Sequence, residues 1–194
     1  MGAVDTLVVA GAAFHGGMLA GILIFKHFFD RLPFRNPDSV SWHRKVTLGV
    51  ITVLIVLPSL TAVGLGWQQL LQWMGVAVEP QDLVGIFADE ESPTLLILMT
   101  LLAITVAPVT EELIFRAGIF RYMRTRTPRW VALLVPALLF GALHANLASF
   151  VPLVALGIIL ALAYERTGSI IVPIVAHGLF NLHTIALILS GVTA

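Results

Sequence analysis

The chain has 194 residues, 58% of them Ala, Val, Ile, Leu, Met, Phe, Trp, Tyr or Cys, with a mean hydropathy of +0.97. Charged residues make up 11%, against about 25% in a soluble domain, which excludes a water-soluble globule and indicates an integral membrane protein. Eleven basic and eleven acidic side chains cancel without a long basic patch, so nucleic acid is excluded as a partner, and the absence of Cys excludes disulfides, thiolate metal sites and a Cys nucleophile.

Residues 7–25 form the first apolar block, interrupted only by His15. No basic n-region precedes it and no small-residue cleavage site follows, so it reads as a retained span rather than a signal peptide. The opening Met-Gly-Ala-Val-Asp-Thr fits a myristoylation pattern only loosely. Ala13, Gly17 and Gly21 make a small-residue face, expected to pack closely against another helix. Residues 46–78 carry no ionisable group; as one helix they would run about 50 Å, beyond a hydrocarbon core of about 30 Å. Their far end (Trp67, Gln68, Gln69, Gln72, Trp73) is therefore expected in the interface, with a kink at Pro58. The later blocks are 94–120 with Glu111, Glu112 and Arg116, 130–145 with His144, 147–164 without charge, and 169–190 with His177, Asn181 and His183.

These blocks predict an all-α polytopic membrane bundle of about six spans, one transmembrane domain over 1–194 with its motif-bearing core at about 94–191. Residues 26–45 hold five basic and two acidic side chains, 79–91 five acidic and no basic, and 121–129 four basic and no acidic. Basic loops stay cytoplasmic. That places 26–45, 121–129 and 165–168 inside and both termini on the non-cytoplasmic side.

All charged residues but three fall at span ends or in loops; the exceptions are Glu111, Glu112 and Arg116. A charge at mid-bilayer costs at least about 2.5–3.5 kcal/mol, which makes such groups functional candidates by default. Glu112 and Arg116 are four apart and share a helix face, so they are expected to neutralise each other, as a structural salt bridge or as part of a site. Glu111 is rotated by about 100° and needs another partner. Pro108 is expected to break the helix, placing Thr110, Glu111 and Glu112 in a restarted first turn where the dipole favours carboxylates. Phe140 and His144 share a face, as do His177 and Asn181. His15 and His183 read as core residues; His27 and His43 read as loop or interface residues.

Depth gathers four of these groups. At 1.5 Å per residue from the basic markers, Glu111 lies about 15 Å deep, His144 about 22 Å, His177 about 16 Å and Asn181 about 22 Å. A carboxylate, two imidazoles and a carboxamide on three helices suit hydrolysis by activated water, with His177 and Asn181 donating to the oxyanion.

The residues also resemble a known family. Glu111-Glu112-Leu-Ile-Phe-Arg116 looks like its EExxxR motif, Phe140-Gly-Ala-Leu-His144 its FxxxH motif, and His177-Gly-Leu-Phe-Asn181 its HxxxN motif. This is the CPBP family of CAAX proteases and bacteriocin-processing proteins (also called Abi), which includes the Rce1-type prenyl-protein endopeptidases. Tyr164-Glu-Arg-Thr-Gly-Ser169, followed by Pro173, is similar to the segment between its last two motifs. The resemblance covers residues 94–181. It implies an intramembrane endopeptidase of glutamic type, in which Glu111 and His144 activate water and His177 with Asn181 form the oxyanion hole. Glu112, Arg116 and Phe140 are then supporting residues.

That reading requires no cofactor, and the sequence lacks an HExxH motif. A zinc hydrolase with Glu111, His144 and His177 as ligands is one alternative. A non-catalytic membrane scaffold or regulator is another, and a proton or ion pathway is a third. The expected partners are the bilayer and a peptide or membrane-protein substrate, in the cytoplasmic membrane of a prokaryote. Nothing in the sequence calls for a prenylated substrate.

Overall fold

The computed structural model describes residues 3–29, 41–78 and 81–192. Seven helices occupy them: α1 (Ala3–Phe29), α2 (Trp42–Trp73), α3 (Asp82–Asp89), α4 (Pro93–Arg124), α5 (Arg129–Leu143), α6 (Leu147–Thr167) and α7 (Ile171–Leu189). There is no strand among the described residues. The charges within 30–40 and at Glu79, which enter the orientation argument, lie outside the described residues, as do Met1 and Gly2 and the side chains of Lys26, His27 and Asp82.

Four helices, α2, α4, α6 and α7, are long and apolar enough to cross a membrane, and shorter apolar stretches fill Val8–Ile24 and Arg129–Leu143. Their outer faces are apolar too: Leu54, Ile55, Leu65 and Ile97 are all exposed. An apolar surface on so many helices suits lipid, where every main-chain group must be paired within the helix. Trp42, Trp73 and Trp130 stand exposed at helix ends, the position of an aromatic belt.

Local chemistry sets the helix ends. Ser92 caps α4, its Oγ accepting from the Leu95 N–H, with Pro93 in the first turn. Asn146 caps α6 through the Ser149 N–H at 2.9 Å, and Gly168 closes that helix in the left-handed region at φ 69°. Between α5 and α6, Ala145 adopts φ 49°, an unfavourable conformation for a side chain bearing Cβ.

The interior is built around α6 and α7. Val56 and Leu60 of α2, Phe115 of α4, Phe140 of α5, Leu153, Leu156 and Leu160 of α6, and Ala176 of α7 make one cluster. A second joins Phe87 of the short helix α3 to Met99 of α4 and Ile185 and Ile188 of α7. At one end Glu165 of α6 accepts from Arg124 of α4 at 2.7 Å and pairs with Arg129 of α5 at 2.8 Å.

Three expectations are corrected here. Pro108 does not break α4. The helix passes through it by widening into π-turns at Leu102–Val106 and Leu113–Phe120, which accommodate the ring. Thr110, Glu111 and Glu112 therefore lie mid-helix, away from any dipole terminus. Second, among the described residues Gly17 and Gly21 have no close neighbour: a Cβ built at either meets no atom within 4 Å. Third, His183 is exposed rather than in the core.

Gly49 is one glycine that close packing does require. A Cβ there would lie 2.7 Å from Val175 Cβ and 3.1 Å from the Val172 carbonyl of α7. Gly49→Ala is expected to destabilise by about 1–3 kcal/mol through overpacking, while Gly17→Ala leaves stability unchanged or slightly raised. Unfolding in mixed micelles, followed by tryptophan fluorescence, checks both.

Candidate active site

The two adjacent glutamates of α4 have separate fates. The Glu112 side chain is fully buried, whereas that of Glu111 is 17% exposed. Glu112 Oε1 accepts from Arg116 Nη1 at 2.7 Å and from His177 Nδ1 at 2.9 Å. The arginine uses a second nitrogen, Nη2, to reach the Gly157 carbonyl of α6 at 3.2 Å, and its guanidinium lies 4.9 Å from the centroid of the Phe140 ring. One ion pair thus ties α4 to α5, α6 and α7. Gly157 permits it: a Cβ there would press on Ala137 at 3.0 Å and lie 3.6 Å from Nη2. The second carboxylate oxygen, Glu112 Oε2, is buried without a hydrogen-bond partner.

His177 is the hinge between the glutamates. Its Nδ1 donates to Glu112, since a carboxylate only accepts, and its Nε2 stands 3.8 Å from Glu111 Oε2. The pairing of Glu111 and His177 follows from their matching depth. The bond from His177 to Glu112 was not legible, because spacing along a helix says nothing about which neighbour in the next turn of α4 an imidazole on α7 will meet.

His144 sits just past the end of α5. Its Nδ1 donates to the Phe140 carbonyl at 2.8 Å, which leaves Nε2 as the acceptor in the neutral ring. Its ring lies 4.9 Å from that of Phe140, which lies 5.8 Å from His177. Both imidazoles thus border the Phe140 ring. Among the described residues, no hydrogen bond or ion pair joins His144 to Glu111 directly. Asn181 donates through Nδ2 to the Ala103 carbonyl in the first π-turn at 2.8 Å.

His15 is buried, as a core histidine should be, and its partner is informative. Nδ1 lies 2.7 Å from Thr110 Oγ1, whose own proton is shared between the Val106 and Ala107 carbonyls. His15 is then the donor, and it fastens α1 to the residue preceding Glu111. Among the described residues no group of three or more His, Asp or Glu side chains is arranged to hold a metal ion.

Breaking a buried ion pair leaves the partner charge uncompensated. Arg116→Ala is expected to destabilise by about 3–5 kcal/mol, read as the shift in an unfolding titration in micelles.

Comparison with known proteins points to one group. Residues 93–183 match the family model described as type II CAAX prenyl endopeptidase Rce1-like. The Bacillus subtilis protein named "Putative membrane peptidase YdiL" is 36% identical over 95 residues, 49% of this chain and 39% of that protein. An Escherichia coli protein named "Uncharacterized 24.3 kDa protein" is 34% identical over 98 residues, 47% of this chain and 44% of that one. The "UPF0177 protein YbdI" of Lactococcus lactis is 30% identical over 97 residues, 50% of this chain and 51% of its own. The chain thus spans about half, or less, of the length of these curated relatives. No solved structure matches it. Residues 93–183, which carry all three motifs, are thus similar to the Rce1-like group of membrane endopeptidases.

Proposed function

We propose that the chain is a membrane-embedded endopeptidase that hydrolyses a peptide bond with water activated by Glu111 and His144. The observation that carries this is the separation of 3.8 Å between Glu111 Oε2 and His177 Nε2. That is longer than a hydrogen bond and sets the proposed base beside the proposed oxyanion donor, each able to meet a different oxygen of the reacting water and carbonyl. The match of residues 93–183 to the Rce1-like family model and the name of the B. subtilis relative support the same class.

The water oxygen attacks the amide carbon while its proton passes to the Glu111 carboxylate. His144, with Nδ1 committed to Phe140, offers Nε2 as acceptor to the same water. The carbonyl oxygen gains negative charge and accepts from His177 Nε2–H and from the Asn181 carboxamide. For that donation His177 is an imidazolium, its other proton held by Glu112. When the tetrahedral intermediate collapses, the C–N bond breaks and Glu111 returns its proton to the leaving amine. Glu112, Arg116 and Phe140 orient His177 without touching the substrate. The substrate is a peptide or a membrane protein, and the location is the cytoplasmic membrane of a prokaryote with both termini on the far side.

The deciding experiment incubates purified wild type and Glu111→Gln with a peptide library, with and without chelator. Glu111→Gln or His144→Ala is expected to abolish cleavage in a folded protein, and His177→Ala to slow turnover by about 10²-fold or more. Equal cleavage by wild type and Glu111→Gln would remove the proposal. Inhibition by chelator together with stoichiometric bound metal would transfer it to the zinc reading, with Glu111, His144 and His177 as ligands. A scaffold predicts that Glu111→Gln is silent in every assay.

A further inference from the structure

The bond from Asn181 to the main chain has a cause in the sequence of α4. At the end of the first π-turn the Ala107 N–H reaches the Leu102 carbonyl, a spacing of five residues. In that register the next donor, at position 108, would serve the Ala103 carbonyl; in an ordinary helix it would serve Ile104. Pro108 has no N–H to give to either. Both carbonyls meet α7 instead. Ala103 receives the Asn181 Nδ2 proton at 2.8 Å. The Ile104 oxygen lies where a Cβ on residue 178 would come within 2.6 Å, so only glycine lets α7 approach.

A carboxamide nitrogen carries two protons. One is spent on Ala103, and spending it fixes the plane of the side chain and the direction of the other. We propose that Pro108 and Gly178 are positioning residues: by opening the Ala103 carbonyl and seating α7 against the π-turn, they aim the second Asn181 N–H at the substrate oxygen. This rests on the reading of Asn181 as an oxyanion donor. Pro108, which the sequence pattern casts as a helix breaker, instead supplies an acceptor by omission.

Pro108→Ala tests it, because alanine restores the main-chain donor and is the better helix former, so the variant folds. Asparagine occurs at positions 36, 146 and 181 alone. Selective 15N-asparagine labelling of the full chain in micelles therefore gives three carboxamide pairs, with that of Asn181 identified by its loss in Asn181→Ala. Pro108→Ala is expected to shift the Asn181 pair and to lower kcat on a cleavable peptide by about 10- to 100-fold with KM within about twofold, as for a displaced catalytic group. Gly178→Ala is expected to shift the same pair. An unmoved Asn181 signal in Pro108→Ala overturns the proposal whatever the activity. A moved signal with unchanged kcat also overturns it. If wild type cleaves no peptide and the signal still moves, the placement of Asn181 by Pro108 stands and the endopeptidase reading falls.

Discussion

The structure depends on one oxygen atom. Glu112 Oε1 receives both the Arg116 guanidinium and the His177 imidazole, and all three side chains are buried. A charge left alone there would be costly, so the three groups hold together or the fold gives way. Because Arg116 also bonds to α6 and lies over a ring of α5, the requirement to neutralise one carboxylate fixes four helices at once. The candidate chemistry is attached to this frame. His177 presents Nε2 towards Glu111 because its other nitrogen is committed.

Much of this was legible before any coordinates. The i, i+4 spacing of Glu112 and Arg116 predicts their pairing, and depth counted from the flanking arginines brings Glu111 and His177 to one level. Other features were not. A proline in an apolar helix reads as a break by its local chemistry; a neighbouring helix that donates to a carbonyl near it makes continuation cheaper, and here that donor, Asn181, is 78 residues from Ala103 in the chain. Gly17 and Gly21 have the spacing of a packing face, yet spacing cannot say whether a helix stands opposite. Helix α3 lies within the acidic segment 79–91, where eight residues are too few for a strong periodic signal. Phe87 of that helix nonetheless enters the core.

The segment shared with relatives, 93–183, does not pack alone. Val56 and Leu60 of α2 complete the central cluster, and His15 of α1 bonds to Thr110 beside Glu111. The helices before the motifs are thus part of the setting in which the motifs are held, although they carry none of the recognised residues. Similarity confined to the motif helices and a fold that needs the others are compatible, because lipid-facing helices constrain composition more than identity.

Glu111 and Glu112 are joined by a peptide bond but live on different clocks. The side chain with 17% exposure can be reached from outside by small rotations about its own bonds. Its neighbour, wholly enclosed and gripped by two donors, exchanges only when the helices themselves part, an event as rare as local unfolding. A catalyst that must pick up and release a proton in each cycle can use the first and must leave the second untouched. The contrast between these two identical side chains is one of exposure, set by a rotation of one residue around a helix.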